Sequence, residues 1–200
     1  HRRRRPASWL TGRRMTGVPP SSRATRLARI DDALALVDLE RENRDFLGPW
    51  EPLRDDDYYS LVAYRAALAQ QLDRHAAGLA LPLVIVDDAG SIVGRISLHS
   101  IVRGALQSAT LGYWLAESAT GRGLASRALG ELVEMSFGDL ALHRLEAGTM
   151  VTNVRSQRVL ERHGFERYGL APRFLRIAGE WQDHVLYQLV NETWTEPTAR

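Results

Sequence analysis

The sequence predicts an α/β fold in which a single domain is built on one mixed β-sheet. A chain of 200 residues favours one domain. Its 44% hydrophobic and 25% charged residues are the ordinary mix of a globular protein. Segments with helical spacing alternate with β-branched runs, in the order α α β β β α β α β β. Strands and helices that alternate in this way indicate a sheet covered by helices.

The first 24 residues are predicted to lie outside the domain. They show no apolar period, carry many positive charges and contain Pro6, Pro19 and Pro20. Stretches of this kind are usually extended or disordered. The sequence therefore predicts a basic, flexible arm over residues 1–24, a domain over residues 25–195 and a short tail over residues 196–200.

Two helices open the predicted domain. Apolar residues at helical spacing predict a first helix over residues 31–46, which the prolines at 48–52 (GPWEP) end. A second helix is predicted over residues 55–77. Asp55 can cap its first turn, and Gly78 can end its last.

Three strands then form a predicted antiparallel meander. β-branched and alternating runs place them at residues 82–87, 92–98 and 107–115. The DAG sequence at 88–90 is typical of a hairpin turn between the first two.

The second half of the domain alternates helix and strand. A glycine-bearing turn at 120–123 leads into a helix over Leu124–Phe137. A strand, a helix that Gly164 ends, and a hairpin of two strands turning at 178–180 complete the chain. These four elements are predicted at residues 144–151, 153–163, 165–177 and 182–189.

The composition excludes several kinds of catalysis. All 26 residues counted as Lys or Arg are arginine, and the chain has no cysteine. Without lysine there is no Schiff base to pyridoxal phosphate and no P-loop, and without a thiol there is no cysteine nucleophile. The 6 histidines show no close metal-ligand spacing, so no metal is predicted. A transferred group must pass directly to its acceptor or through another type of side chain.

The positive charge is concentrated at one end. Residues 1–30 hold nine arginines and no acidic residue, while residues 31–200 carry 17 arginines against 24 Asp and Glu. A solvated arm is one interpretation of this basic block, and a weak contact with nucleic acid is the other. The apolar run at 79–86 is far shorter than the ~20 residues of a membrane span, and no secretory signal is evident. We therefore expect a cytoplasmic protein that does not contact a membrane.

The turn before the helix Leu124–Phe137 is suited to phosphate. Gly121 and Gly123 let the backbone approach a ligand, and Arg122 adds a bidentate donor. The helix start also offers unpaired N–H groups and the positive end of its dipole. Taken alone, a tight turn without any ligand explains these glycines better, because the six-position dinucleotide pattern is absent.

Six segments together resemble the Gcn5-related N-acetyltransferase (GNAT) superfamily, and within it the RimJ/RimL branch of ribosomal-protein alanine/serine N-acetyltransferases. They are NRDFLGPW at 43–50, LGYW at 111–114, GRGLA at 121–125, NVRS at 153–156, GF at 164–165 and GEWQDH at 179–184. The resemblance runs from about residue 43 to residue 194. It implies a GNAT fold with splayed central strands, an acetyl-CoA cleft and direct transfer of acetyl to an amine.

The resemblance also implies where acetyl-CoA binds. Its cleft would lie between the strands at 107–115 and 144–151, whose unpaired backbone groups would take the pantetheine amides. Thr120 stands where the superfamily often has Gln or Arg, yet acetyl-CoA binding is still expected because backbone donors hold the pyrophosphate. The implied cofactor-binding residues are Trp114, Leu115, Arg122, Gly123, Leu124, Ala125, Ser126 and Asn153.

Catalytic roles follow from the same resemblance. Ser156 would hydrogen-bond the departing thiolate, and Asn153 would hold the pantetheine arm or a water. Asn153 can instead simply cap the helix that follows it. For the general base, Glu146 and His184 are candidates, although a structural role suits His184 as well.

Two aromatic residues are predicted to line the acceptor side. Trp50 lies in the loop between the first two helices, and Tyr113 lies on the strand at 107–115. The alternatives are that Trp50 packs under the helix pair and that Tyr113 is a core residue with a satisfied hydroxyl.

Three functions are compatible with these features. The first is acetylation of the N-terminal α-amine of a protein, in particular a ribosomal protein, and the acidic residues Glu51 and Asp55 to Asp57 would favour a basic N-terminus. The second is acetylation of a small amine such as an antibiotic or polyamine. The third is a non-catalytic acetyl-CoA-binding module whose arginine arm binds RNA. The protein is expected to be a monomer or a homodimer.

Overall fold

The computed structural model describes residues 23–196 and is built on a seven-stranded sheet in the order β1-β2-β3-β4-β5-β7-β6. Most of the predicted arm, and residues 197–200 of the predicted tail, lie outside the described residues. The strands are β1 (Thr25–Leu27), β2 (Leu81–Val86), β3 (Ile92–Val102), β4 (Ser108–Leu115), β5 (Arg144–Met150), β6 (Glu166–Ile177) and β7 (Glu180–Val190). The helices are α1 (Ala33–Glu42), α2 (Arg44–Leu47), α3 (Leu61–Ala76), α4 (Leu124–Phe137) and α5 (Val154–Arg162). The predicted mixed α/β fold is confirmed.

The sequence pattern does not predict β1. Its three residues are too few to show alternation, and their extended shape comes from pairing with β2, where Thr25 lies opposite Ile85. Ala24, placed in the arm by the sequence, is fully buried, and its N–H donates to the Glu131 carboxylate at 2.7 Å. Contacts distant in sequence therefore hold this segment on the domain.

The two N-terminal helices are shorter than predicted. The first is interrupted at Asn43, which has a non-helical ψ of 14° and separates α1 from α2. The second begins at Leu61, because the Ser60 hydroxyl accepts the N–H of Ala63 and caps it. Asp55 caps a separate 3-10 turn at Asp56–Tyr59. The prediction of one continuous helix over 55–77 is thus wrong at its start.

Helices cover both faces of the sheet. On one face α4 and α5 bury Leu129, Leu132 and Leu160 in the main core. On the other face α1 and α3 pack Leu36 and Leu68 in a smaller cluster that also includes Tyr64 and Trp114. In the part of the chain described, no helix combines the length and the apolar character needed to cross a membrane. Because α4 and α5 pack side by side, their N-terminal ends frame one edge of the gap described next.

Candidate active site

The sheet opens between β4 and β5. These neighbours are parallel and pair over only three positions, the last of which joins Thr110 to Glu146. Beyond that point β4 stays paired with β3 as far as Leu115, while β5 stays paired with β7 as far as Met150. The two strands therefore diverge, and the β5-facing edge of residues 111–115 has no partner strand among residues 23–196.

A large cleft extends from this opening. Its volume is about 1060 Å³, and it runs between the end of β4, the start of α4 and one face of α5. It brings together most of the residues predicted from the sequence to bind or react, namely Trp50, Tyr113, Trp114, Leu115, Gly123, Leu124, Ala125, Ser126, Asn153 and Ser156. Arg122 is exposed and does not line the cleft, so its neighbours' backbone, not its guanidinium, faces the space.

The glycine turn at 120–123 forms one end of the cleft. Gly121 and Gly123 have φ values of +73° and +77°, a region that residues with a side chain rarely adopt. A Cβ at either position would meet no atom within 4 Å, so the backbone borders open space. Gly123 is the N-cap of α4 and has no side chain to accept the first N–H groups of the helix. These donors and the helix dipole make an anion site at the cleft's edge.

Three arginines of α5 line the same cleft. Arg155, Arg158 and Arg162 recur at the helical spacing that puts side chains on one face, and all three are exposed. Arg155 lies within NVRS and the other two arginines follow it at helical spacing, so the same positions could have been found in the sequence. They make the wall opposite apolar β4 positively charged.

A hydroxyl pair lies where the strands part. The Tyr113 hydroxyl is 2.8 Å from the Ser156 Oγ and donates at 3.2 Å to the Ser156 carbonyl. Burial raises the pKa of Tyr113 to about 12, although the Ser156 hydrogen bond opposes the shift. Tyr113 is therefore neutral at physiological pH and keeps a proton to donate.

Asn153 holds the start of α5. Its side-chain oxygen accepts the N–H of Ser156 at 3.1 Å, the capping role weighed from the sequence. Asn153 also lines the cleft. The cap fixes the backbone of Ser156 and so orients its hydroxyl toward Tyr113.

A smaller cavity of about 200 Å³ adjoins the hydroxyl pair. It is lined by Trp50 and Glu51 from the loop after α2, by Ser156, and by His184 from β7. Loss of hydration on burial, with a smaller contribution from nearby Glu40, raises the pKa of Glu51 to about 7. This carboxylate, noted in the sequence only as one of several acidic residues, is partly buried beside the predicted reaction centre.

The loop that carries Trp50 and Glu51 is fixed at two points. The N–H of Ala178 donates to the Glu51 carbonyl at 2.9 Å, which ties the loop to the β6–β7 turn. The Asn43 side-chain oxygen accepts the N–H of Glu117 at 2.8 Å, which ties α2 to the segment after β4. Trp50 is 39% exposed and lines both cavities, so it is not a residue buried under the helix pair.

The two candidate bases considered from the sequence lie in different places. Glu146 bonds Arg144 at 2.8 Å and Tyr168 at 3.1 Å, and it lines neither cavity. His184 lines the smaller cavity, with its Nδ1 3.0 Å from the Gln182 carbonyl. Asp183 does not pair with it, because its carboxylate accepts the N–H of Arg173. Over residues 23–196 no three His, Asp or Glu side chains converge as a metal site requires.

A sheet splayed between parallel strands, above a glycine turn at a helix start, defines an N-acetyltransferase of the GNAT class. The chain belongs to this family, since residues 25–166 match its acetyltransferase (GNAT) domain. The resemblance drawn from the sequence motifs is confirmed, and with it the assignment as an acyltransferase.

All the relatives are named as N-acetyltransferases, and some of them as ribosomal-protein acetyltransferases. The [ribosomal protein uS5]-alanine N-acetyltransferase of Escherichia coli is 36% identical over 85% of this chain and 88% of its own length. The probable N-acetyltransferase YjcK of Bacillus subtilis is 35% identical over 83% of this chain and 92% of its own. RimJ of Mycobacterium smegmatis, solved in complex with CoA-disulfide, superposes with a TM-score of 0.81 at 32% identity, over 86% of this chain and 83% of that one.

Proposed function

We propose that this protein transfers acetyl directly from acetyl-CoA to the N-terminal α-amine of a protein, with a ribosomal protein as the class of acceptor. The observation that carries this proposal is the cleft between β4 and β5, which has an anion site at one end and the Tyr113–Ser156 hydroxyl pair at the other. Acetyl-CoA bound along the cleft would have its phosphates at the start of α4 and its thioester carbon beside the hydroxyl pair.

Three parts of the cleft suit acetyl-CoA. The unpaired edge of β4 at residues 111–115 can bond the pantetheine amides, as buried backbone groups require partners. The N–H groups after Gly123 can hold the pyrophosphate, and the arginines of α5 can pair with phosphate oxygens. The solved complexes of M. smegmatis RimJ with CoA-disulfide and of RimL with CoA support this donor.

Adding a methyl group to the glycine turn is expected to weaken acetyl-CoA binding. Gly123→Ala should raise the KM for acetyl-CoA about tenfold and change kcat less than twofold, because Ala strains the φ of +77° and projects Cβ into the cleft. Steady-state kinetics and calorimetric binding of CoA measure both values.

The matched control for Gly123 is Gly90→Ala. Gly90 has a similar φ of +82° and equal open space, but it lies in the β2–β3 turn away from the cleft. It reproduces the backbone strain alone. An equal rise in KM in the two variants would contradict the phosphate-site assignment.

The hydroxyl pair can assist departure of the thiol. When the C–S bond breaks, negative charge appears on sulfur, and Ser156 can donate a hydrogen bond and then a proton to it. The Tyr113 hydroxyl can turn its single proton from the Ser156 carbonyl, 3.2 Å away, to the Ser156 Oγ at 2.8 Å and so support that donation. A proton thus reaches the sulfur without any covalent enzyme intermediate.

The acceptor side suits one ammonium group. The cavity of about 200 Å³ has a single acidic lining residue, Glu51, which would match the one charge of an N-terminus better than the several charges of a polyamine. Asp55, Asp56 and Asp57 are exposed close by in the chain, and their charge would attract a basic N-terminal segment. The E. coli relative named for uS5 alanine acetylation supports the ribosomal class.

A turnover assay tests this function. Release of free thiol from acetyl-CoA is followed with peptides that begin in Ala or Ser, with the same peptides blocked at the N-terminus, and with small amines including polyamines. Unblocked peptides should be acetylated at the α-amine, as located by mass spectrometry. Turnover with polyamines alone would show that the acceptor is a polyamine and not a protein N-terminus. CoA binding without turnover of any amine would contradict the proposal that the protein is an enzyme.

A further inference from the structure

Given the N-acetyltransferase function above, we propose that Glu51 is the general base, whose carboxylate takes the proton that the acceptor ammonium must lose before its nitrogen attacks the thioester. The inference rests on the proposed function and assigns one proton transfer within it.

Glu51 lies beside the predicted reaction centre. Glu51 lines the same small cavity as Ser156 and Gly112, so the base and the thiolate-side acid border one space. Its backbone carbonyl is held by Ala178, which fixes the side chain's origin relative to β6 and β7. A general base must lie within hydrogen-bond reach of the proton it removes, and an amine bound in this cavity would adjoin the Glu51 side chain that lines it.

No side chain among residues 23–196 forms a hydrogen bond or an ion pair with the Glu51 carboxylate. The carboxylate of Glu146 already forms an ion pair with Arg144, whereas the carboxylate of Glu51 is available to bind an incoming ammonium group.

A second acidic residue, Glu40, is buried near Glu51. Glu40 is 3% exposed, its Oε1 accepts from the Tyr64 hydroxyl at 2.7 Å, and its Oε2 has no hydrogen-bond partner in the described part of the chain. Burial and the Glu40 charge raise the pKa of Glu51 to about 7, against the opposing pull of Arg54 and Arg95. A base that titrates near the working pH can both accept a proton and release it.

The proton balance of the reaction is complete with this assignment. The ammonium nitrogen loses two protons as it becomes an amide. Glu51 takes the first, so that an N–H bond breaks and an O–H bond forms, and later returns it to water. The neutral amine then forms the C–N bond as the C–S bond breaks. Once the C–N bond has formed, the nitrogen loses its second proton to water, and a proton from water restores the Ser156 hydroxyl that protonated the departing sulfur.

His184 is the rival group in this cavity. An Nδ1–H that donates to the Gln182 carbonyl at 3.0 Å would leave its Nε2 free as a base. Its ring, however, packs edge-on against Phe174 at 5.5 Å, and the residue is 3% exposed. The experiment therefore compares both residues.

The test compares Glu51→Gln with the wild-type chain at pH 7 and pH 9. At pH 7 the variant should acetylate an Ala-initiated peptide about 100-fold more slowly in kcat/KM, the size expected for loss of a general base. At pH 9 the defect should shrink about tenfold, because an α-amine with a pKa of 7.7–8.0 then arrives mostly neutral. Calorimetric affinity for CoA and the Tm should match the wild type.

Three further variants make the result decisive. Glu42→Gln, at the exposed end of α1, controls for the loss of one negative charge and should behave as wild type. Glu40→Gln should move the acidic limb of the pH profile to lower pH, since removal of a neighbouring negative charge lowers the pKa of Glu51. His184→Gln should retain the wild-type pH profile.

The outcomes separate this inference from the proposed function. If wild type turns over and Glu51→Gln keeps its rate, or has the same defect at both pH values, Glu51 is not the base. A pH-dependent defect in His184→Gln instead would assign the base to His184. If wild type acetylates no amine, the proposed function itself fails.

Discussion

Replacement of Ser156 by alanine is expected to lower kcat about 100-fold and to leave the affinity for acetyl-CoA within about twofold. The lost hydroxyl bonds the sulfur only as negative charge develops on it, so the loss falls on the transition state and not on binding. The backbone N–H of Ser156, which Asn153 accepts at 3.1 Å, is unchanged, and alanine is favourable in a helix. Steady-state turnover and CoA binding separate the two effects.

Two companion variants locate the effect of Ser156→Ala. Tyr113→Phe removes the partner hydroxyl 2.8 Å from the Ser156 Oγ and keeps the ring in the core, so kcat should fall by about tenfold. Ser118→Ala, in the exposed turn before α4, should have no effect on turnover. If Ser156→Ala turns over at the wild-type rate, the thiolate-side assignment is wrong.

The sequence predicts those parts of the site that local chain geometry determines. The glycine turn, the start of α4 at Leu124 and the cap at Asn153 each depend on a few neighbouring residues, and the structure has all three where they were predicted. The seven-strand order with its opening depends on long-range pairing. The opening between two strands is predicted only from the family resemblance, because no local sequence pattern indicates which strands become neighbours in the sheet.

The sequence does not reveal properties of residues that depend on burial or on side-chain direction. Glu51 reads in the sequence as one of several loop acids, and only its burial beside Glu40 distinguishes it from exposed Asp57. Arg122 is predicted from the sequence as a phosphate ligand; its side chain is exposed and does not line the cleft, and the role stays a prediction. Side-chain direction in an irregular turn follows from the backbone dihedrals, which residue identity alone does not determine.

Gly94→Ala is expected to cause the largest loss of stability. An added Cβ would lie 2.2 Å from the Trp114 carbonyl oxygen and 3.0 Å from the Leu115 Cα, so strand backbone must move. Overpacking of this kind costs about 3 kcal/mol. For a domain of this size that corresponds to a fall in Tm on the order of 10 °C, which differential scanning calorimetry measures.

The same variant tests whether the acetyl-CoA cleft depends on the β3–β4 pairing. Gly94 lies opposite Leu115, at the end of the strand whose other edge opens toward β5. At temperatures below the Tm of the variant, where it is still folded, displacement of that end of β4 should weaken CoA binding. The reason is that the backbone groups at 114–115 leave their positions. The control is Gly48→Ala, because a Cβ there meets no atom within 4 Å and φ is −49°. Its Tm should equal that of the wild type. A destabilised Gly94→Ala that binds CoA as tightly as wild type would show that residues 114–115 hold no part of the cosubstrate.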